Sequence, residues 1–243
     1  MLMQMLMSKM RAAIDKYKMI NDGDKIAVGV SGGKDSLAML MALNNLRRFY
    51  PKNFQIVAVT VDMAFDNQPG DFSKIEKLCK ENDIEYVVAK TSLYDVIFNQ
   101  RKQKNPCSLC AKMRRGILHD TAKSLGCNKI ALGHHLDDAV VTFYMNLLQC
   151  GNIGCFSPVS YLSRKDLVLI RPMVFAYEKQ VQRVADKLKL PVVKSKCPVD
   201  HLTHRQKVQD FVDSLEKQNG YSAVYEKTLG ALQRANIDGW GIE

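Results

Sequence analysis

At 243 residues the chain is long enough for one large α/β domain, or one domain with extensions, and for a substantial core. Hydrophobic residues at 47% and charged residues at 25% are ordinary for a soluble globular protein, and no run approaches the ~18 apolar residues of a transmembrane span. The net charge of +10 is not ordinary and points to a polyanionic partner.

The opening Met1-Leu2-Met3-Gln4-Met5-Leu6-Met7 has no charged stretch before it and no small-residue cleavage site. It runs straight into Lys9, Arg11, Asp15, Lys16 and Lys18 at helical spacing, so residues 1–22 read as a leading amphipathic helix and its turn. Strand one, from Lys25, ends at Ser31-Gly32-Gly33-Lys34-Asp35-Ser36, and a helix follows over 36–49 with Pro51 closing it. Ile56–Val61 is a second apolar strand ending at Asp62, 72–82 is helical, and Glu85–Ala89 is a third strand. Residues 91–106 are polar and basic. Cys107-Ser108-Leu109-Cys110 then opens a basic helix to about Ser124. Lys129–Leu132 is a fourth strand, followed by Gly133-His134-His135-Leu136-Asp137-Asp138 and a helix to about Gln149. Leu167–Ile170 is a fifth strand, 177–189 a helix broken by Pro191, and Val192-Val193 a short extra strand. Helical stretches near 204–218 and 222–236 finish the chain.

Strands alternating with helices predict an α/β fold: a mainly parallel, five-stranded, doubly wound sheet with helical N- and C-terminal extensions. The expected division is 1–22, 23–200 and 201–243. Ligands of such sheets sit beyond the carboxyl ends of the strands, so the turns at Ser31, Asp62 and Gly133 should face one edge.

Strand, glycine turn and helix start make an anion site. The glycines admit a close backbone approach, the first helical amides lack internal partners, and the helix dipole favours negative charge. Ser31 and Ser36 add hydroxyls, and Lys34 a full charge. An ordinary helix cap needs none of this combination. The spacing excludes both GxxxxGK(S/T) and GxGxxG, so the reading is a phosphate cradle. Asp62 either binds a ribose or caps its loop. His134, His135, Asp137 and Asp138 are a metal cluster, a dipole-favoured helix start, or a carboxylate site for Mg²⁺ bridging phosphates, with Asp138 favoured and Asp137 the alternative.

Seven cysteines, an odd number, need no disulfide framework in a chain this size. Cys107-x-x-Cys110 lacks two ligands for a structural zinc; a redox pair or, with Cys197, an iron–sulfur site are the other readings. Cys150 and Cys155 form a second candidate pair, and Cys79 and Cys127 look like core thiols. Arg101, Lys102 and Lys104, then Lys112, Arg114 and Arg115, then Lys194, Lys196, Arg205 and Lys207 flank these thiols as a phosphate-backbone track.

Together these residues resemble the tRNA 2-thiocytidine synthetase family of pyrophosphatase-loop enzymes, over about residues 10–210. The likeness rests on Ser31–Ser36, on Cys107–Cys110 with Arg114-Arg115-Gly116-Ile117-Leu118, on Ala131–Asp138 and on Ile170-Arg171-Pro172. It implies an adenine-nucleotide α-hydrolase-like fold that binds ATP and Mg²⁺. Ser31, Gly32, Gly33, Lys34, Asp35, Ser36, Asp62, Gly133 and His134 would contact the nucleotide, and Lys34, Asp137 and Asp138 would be catalytic. It also implies a [4Fe-4S] cluster on Cys107, Cys110 and Cys197 with one iron open. The implied reaction is on cytidine 32 of tRNA: the C2 oxygen attacks the α-phosphate, pyrophosphate leaves, sulfur attacks C2 and AMP departs. The family's second C-x-x-C departs here to Cys197-Pro198-Val199-Asp200, and the chain is short at its C-terminus.

The implied partners are tRNA and a sulfur donor, a cysteine desulfurase or sulfide, with no membrane, a cytoplasmic location and a homodimer left open. The alternatives are a lysidine synthetase-like or other adenylating enzyme with a different acceptor, which would not need the cysteines, and a non-catalytic nucleotide- and RNA-binding module with structural zinc.

Overall fold

The structure, a computed structural model, describes residues 1–100, 106–193, 197, 204–218 and 223–241. Arg101, Lys102, Lys104, Lys194, Lys196 and Asp200 lie outside the described residues.

Among the described residues six strands form one sheet: β1 (Asp24–Gly29), β2 (Phe54–Asp62), β3 (Glu85–Lys90), β4 (Lys129–Ala131), β5 (Val159–Leu162) and β6 (Leu167–Ile170). Their order is β3-β2-β1-β4-β6-β5. The five strands expected from the sequence are mutually parallel, and β5 adds an antiparallel edge through a hairpin with β6. The apolar-run criterion passes over β5 because it is only four residues long and carries an exposed Tyr161 at its outer edge. Val192-Val193 forms no strand; Val193 N instead donates a single bond to Gly32 O at 3.0 Å.

Among the described residues eight α-helices accompany the sheet: α1 (Leu2–Lys16), α2 (Lys34–Leu46), α3 (Ser73–Glu81), α4 (Pro106–Ser124), α5 (Leu136–Cys150), α6 (Glu178–Lys187), α7 (His204–Lys217) and α8 (Val224–Arg234). A π-helical turn, Asp95–Gln100, occupies part of the polar segment before α4. The central strands β1, β2, β4 and β6 are buried on both faces, which is why they read as continuous apolar runs, whereas β3 and β5 at the sheet edges are only partly covered. Ile26 and Val28 of β1 and Ile56 and Ala58 of β2 face a core shared with α1, α2, α3 and α6. Ala27, Val57 and Ile130, level with one another across β1, β2 and β4, face Leu118 and Ala122 of α4 on the other side.

Leu6, Met10, Ala13 and Ile14 of α1 recur at helical spacing and are fully buried. Trp240 near the other end is fully buried in the same core, donating through Nε1 to Phe156 O at 2.7 Å. Both ends of the described chain therefore pack on the face that carries α2, the helix that follows the phosphate loop. α7 and α8 bury Val208, Val212, Val224 and Tyr225 against α5.

Candidate functional site

β2 flanks β1 on one side, and β4 and β6 lie on the other, so the chains leaving β1 and β4 turn in opposite directions. A crevice opens between the carboxyl ends of those two strands, the place where such sheets take ligands. Two of the turns singled out from the sequence meet there.

The first is Ser31–Ser36. Gly32 has φ +85°, a left-handed conformation that glycine adopts without strain. Gly33 caps α2 in extended geometry with no side chain bonded to the helix amides, which leaves the first turn of α2 available to an anion. Ser36 Oγ braces the turn by accepting from Ser31 N at 3.1 Å and donating to Gly33 O at 2.9 Å. The Ser31 hydroxyl accepts from Gly33 N at 3.3 Å. The second turn backs onto this one: a Cβ at Gly133 would lie 3.2 Å from Ser36 N.

Lys34 Nζ bonds Glu178 Oε1 at 2.7 Å and lies 3.2 Å from Asp35 Oδ1. Burial pulls its pKa down, but the Glu178 bond and the Asp35 and Glu178 charges outweigh burial and hold it above the usual lysine value. Burial pushes Asp35 up against the pull of His135 and Lys34, and its Oδ1 is sealed from solvent without a hydrogen bond.

His135 caps α5. Its Nδ1 lies 3.4 Å from both Asp138 N and Asp137 Oδ2, while His135 N donates to Asp138 Oδ2 at 2.9 Å. Burial works against the charged form, yet the Asp137, Asp138 and Asp35 carboxylates raise the His135 pKa overall. Asp137 Oδ2 accepts from Glu178 N at 2.7 Å, which ties α5 to the start of α6. Burial acts to raise Asp137; the His135 and Glu178 bonds prevail and lower it. Asp138 Oδ1 pairs with the Arg205 guanidinium of α7 at 2.5 Å.

Beside these carboxylates is a cavity of 970 Å³ reached by Asp35, His135, Asp137 and Asp138, with Gln209, Asp213 and Tyr225 on its far wall. Of the loop residues 31–36 only Asp35 lines it. Acidic residues (Asp35, Asp137, Asp138, Glu178, Asp213, Glu216 and Glu226) outnumber Lys179 and Arg205 around it, a lining suited to a cation-bound polyphosphate rather than a bare one.

Asp62 takes the loop-capping alternative. Its carboxylate accepts from Ala64 N at 3.0 Å and from Gly70 N at 3.0 and 3.2 Å, so both oxygens face the 63–70 loop. Burial drives the His134 pKa down to about 4, against the pull of the Asp138 carboxylate.

Pro106 starts α4 at the position where its missing N–H costs nothing, and Cys107 and Cys110 follow one turn apart on one face. Cys110 packs against the cluster of Met63, Leu93 and Ile97; Met63 directly follows β2, so this thiol lies toward the carboxyl edge of the sheet, as does the phosphate loop. Burial raises its pKa; Arg114 opposes that, and Cys197 and Cys107 reinforce it. Cys197 is thus near enough to Cys110 to be felt electrostatically. Among the described residues no three His, Cys, Asp or Glu side chains are gathered in metal-holding geometry. Cys79 and Cys127 are buried as expected. Cys155 donates to Ala139 O at 3.4 Å, its pKa pushed up to about 12 by burial, and Cys150 is exposed.

Glu178, the partner of Lys34, carried no signal in the sequence: it is an ordinary first-turn carboxylate until α6 is brought against α2. Arg205 was visible only as one member of a basic cluster.

The sequence matches the PP-loop domain family over residues 4–213. It is 36% identical over 210 residues to the tRNA-cytidine(32) 2-sulfurtransferase of Citrifermentans bemidjiense, covering 85% of this chain and 82% of that one. The enzyme of the same name from Geobacter sulfurreducens is 37% identical, covering 90% and 85% of the two chains. Among solved structures, the U34-tRNA thiolase NcsA from Methanococcus maripaludis, with its [4Fe-4S] cluster, superposes with a TM-score of 0.70. That match has 28% identity and covers 92% of this chain and 78% of that one. The NH3-dependent NAD synthetase of Campylobacter jejuni, 17% identical with a TM-score of 0.50 over 96% of this chain and 87% of that one, shares the fold.

Proposed function

The chain belongs to the PP-loop family and, within it, to the tRNA 2-thiocytidine synthetases; on that premise we propose that it uses ATP to convert cytidine 32 of tRNA into 2-thiocytidine. What supports the reading is that a phosphate cradle and a cysteine-bearing helix start both lie toward the carboxyl edge of the sheet, in a chain whose curated relatives are tRNA-cytidine(32) 2-sulfurtransferases.

The cytidine C2 oxygen attacks the α-phosphorus of ATP, the bond to the β-phosphate oxygen breaks, and pyrophosphate leaves. The base then carries AMP on that oxygen, a far better leaving group than the bare carbonyl oxygen. Sulfide forms a bond to C2, the C2–O bond breaks, and AMP departs. The amides of the Gly33–Ser36 turn hold phosphate oxygens, and Lys34 leaves Glu178 to offset the charge that grows on pyrophosphate.

Asp138 and Asp35, whose Oδ1 makes no hydrogen bond though Lys34 Nζ lies 3.2 Å away, would suit Mg²⁺, a hard cation that takes few protein ligands; Asp138 would have to give up Arg205 to hold it. Cys107, Cys110 and Cys197 are a soft, all-thiol donor set that suits iron–sulfur ligation. A [4Fe-4S] cluster held by these three thiols would supply a place for the incoming sulfur. The sulfur comes from sulfide or a cysteine desulfurase, and the cytoplasm, where tRNA and reduced thiols coexist, is the compartment.

Nucleoside analysis by mass spectrometry of tRNA from cells with and without this gene tests the reading. Loss of 2-thiocytidine is the expected result, and an unchanged nucleoside profile overturns it. Purified without oxygen, the protein should be brown, with visible absorbance lost in Cys107→Ala. Replacement of Cys107, Cys110 and Cys197 together should abolish thiolation; a fully active triple variant assigns the chain to an adenylating enzyme with another acceptor.

A further inference from the structure

Two nitrogens beside the phosphate cradle lack partners among the described residues. His134 Nδ1 and Arg171 Nε are both sealed from solvent, and nothing donates to or accepts from either. They are neighbours: His134 follows β4 and Arg171 follows β6, adjacent strands joined where Leu132 N donates to Ile170 O at 3.0 Å. Both side chains rest on one phenyl ring. The His134 ring lies 5.1 Å from that of Phe156, and the Arg171 guanidinium carbon 4.8 Å from its centroid. A phenyl ring cannot satisfy either nitrogen. Buried polar atoms in native proteins nearly always have partners, so this pair marks a place where a ligand supplies what Phe156 cannot.

The rest of Arg171 is fixed. Its backbone N donates to Pro158 O at 3.1 Å and its Nη1 to Ser157 O. Phe156 is anchored through its backbone, where its O accepts from Trp240 Nε1, and its ring lies 6.1 Å from that of Trp240, so what a ligand would displace is the ring alone. Phe156 is partly exposed, and it stands in the 151–157 stretch, without helix or strand, that starts at Gly151 with φ +60°. The surroundings are of mixed charge: the Asp138 carboxylate and the Arg171 and Arg205 guanidiniums act on His134. The spot lies one residue beyond Gly133, whose backbone abuts the start of α2, and Arg115 of α4 is close enough to act on Arg171.

We propose that His134 and Arg171 form the receiving pocket for the target cytosine, with Phe156 the ring that the base displaces. This rests on the thiolation reading above and names how its substrate is read. An enzyme that must reach C2 of a stacked base takes that base out of the RNA and holds it by its Watson–Crick edge. Arg171 Nε–H donates to cytosine N3, and His134 Nδ1, with the proton on Nε2, accepts from the exocyclic N4 amine. The C2 oxygen stays free for the phosphorus. Uracil presents the opposite pattern, a donor at N3 and an acceptor at C4, so the pair also selects cytidine over uridine.

The test uses the full-length holoenzyme and tRNA carrying cytidine, uridine or an abasic site at position 32. Wild type should bind the cytidine tRNA about tenfold or more tightly than the other two. Arg171→Lys and His134→Asn should bring these ratios close to one and slow thiolation steeply. Visible absorbance should stay near wild type in both variants, and ATP affinity in Arg171→Lys. Phe156→Leu, which empties part of the slot, should keep the cytidine preference.

Two outcomes overturn the pocket: a folded Arg171→Lys or His134→Asn variant that keeps the full preference, or a wild type that thiolates tRNA with no preference in binding. Should Arg171→Lys fail to fold, His134→Asn decides alone. A wild type that makes no 2-thiocytidine at all fails at the earlier step and overturns both readings.

Discussion

Gly133 has no room for a side chain, because a Cβ there would press on Ser36 N at 3.2 Å and on the Asp35 carbonyl carbon at 3.3 Å, both backbone atoms. Gly133→Ala should therefore push α2 and its loop apart at a cost of roughly 1–3 kcal/mol and weaken ATP binding about tenfold or more, measured by titration calorimetry. Gly32 is constrained differently, by φ +85° and by Val193 Cβ at 3.2 Å from the site of its missing side chain. At Lys34, Glu178→Gln should leave thermal stability nearly unchanged, since that ion pair is partly exposed, yet lower the KM for ATP by releasing the ammonium.

His134 should leave a pH signature on stability. Burial holds its folded pKa near 4, below its ordinary 6.5, so between those values the unfolded chain binds a proton that the folded one refuses. Its contribution is complete above about pH 6.5 and is lost as pH falls toward 4, at up to ~1.4 kcal/mol per pH unit. His135 has the opposite sign, being raised, so its share is present below 6.5 and fades as pH rises. Urea titrations of wild type and His134→Gln across this range isolate the first effect: the variant's curve should be flatter in acid.

Helix α1 could be taken for an appendage in the sequence, being a Met-rich amphipathic start. Its apolar stripe is nevertheless fully buried on α2 and α6, and Met10→Ala or Ile14→Ala should each cost about 2–5 kcal/mol in denaturant unfolding. α7 links two regions, because its Arg205 holds Asp138 while the helix follows the Cys197 segment. Arg205→Gln should lower the Mg²⁺ concentration needed for half-maximal activity, as the metal no longer competes with a guanidinium for Asp138. The parallel strands and most helices were legible because each is a contiguous run of its own periodicity. β5 was not: its four residues pair only because β6 presents an edge.

Across the molecule, the charge of +10 coexists with an acidic cavity beside the nucleotide loop. Positive charge must therefore sit elsewhere on the surface, among it Lys112, Arg114 and Arg115 of the cysteine-bearing helix. Binding of tRNA should weaken steeply with salt, with a log–log slope of several units, because each neutralised phosphate releases condensed counterions. ATP binding by itself should respond far less, which filter binding and calorimetry at matched salt would show.

The phosphate loop was readable before any fold was known, because strand, glycine turn and helix start are consecutive and anion binding there is a property of the local backbone. The thiols at Cys107 and Cys110 were readable for the same reason, one helical turn apart. No such local rule pairs Lys34 with Glu178, 144 positions away, or Asp138 with Arg205, 67 away. Nor does one set His134 and Arg171 on the same phenyl ring. These contacts exist because the strand order places β4 between β1 and β6, and the energy of a side-chain contact depends on distance in space, to which separation along the chain is no guide.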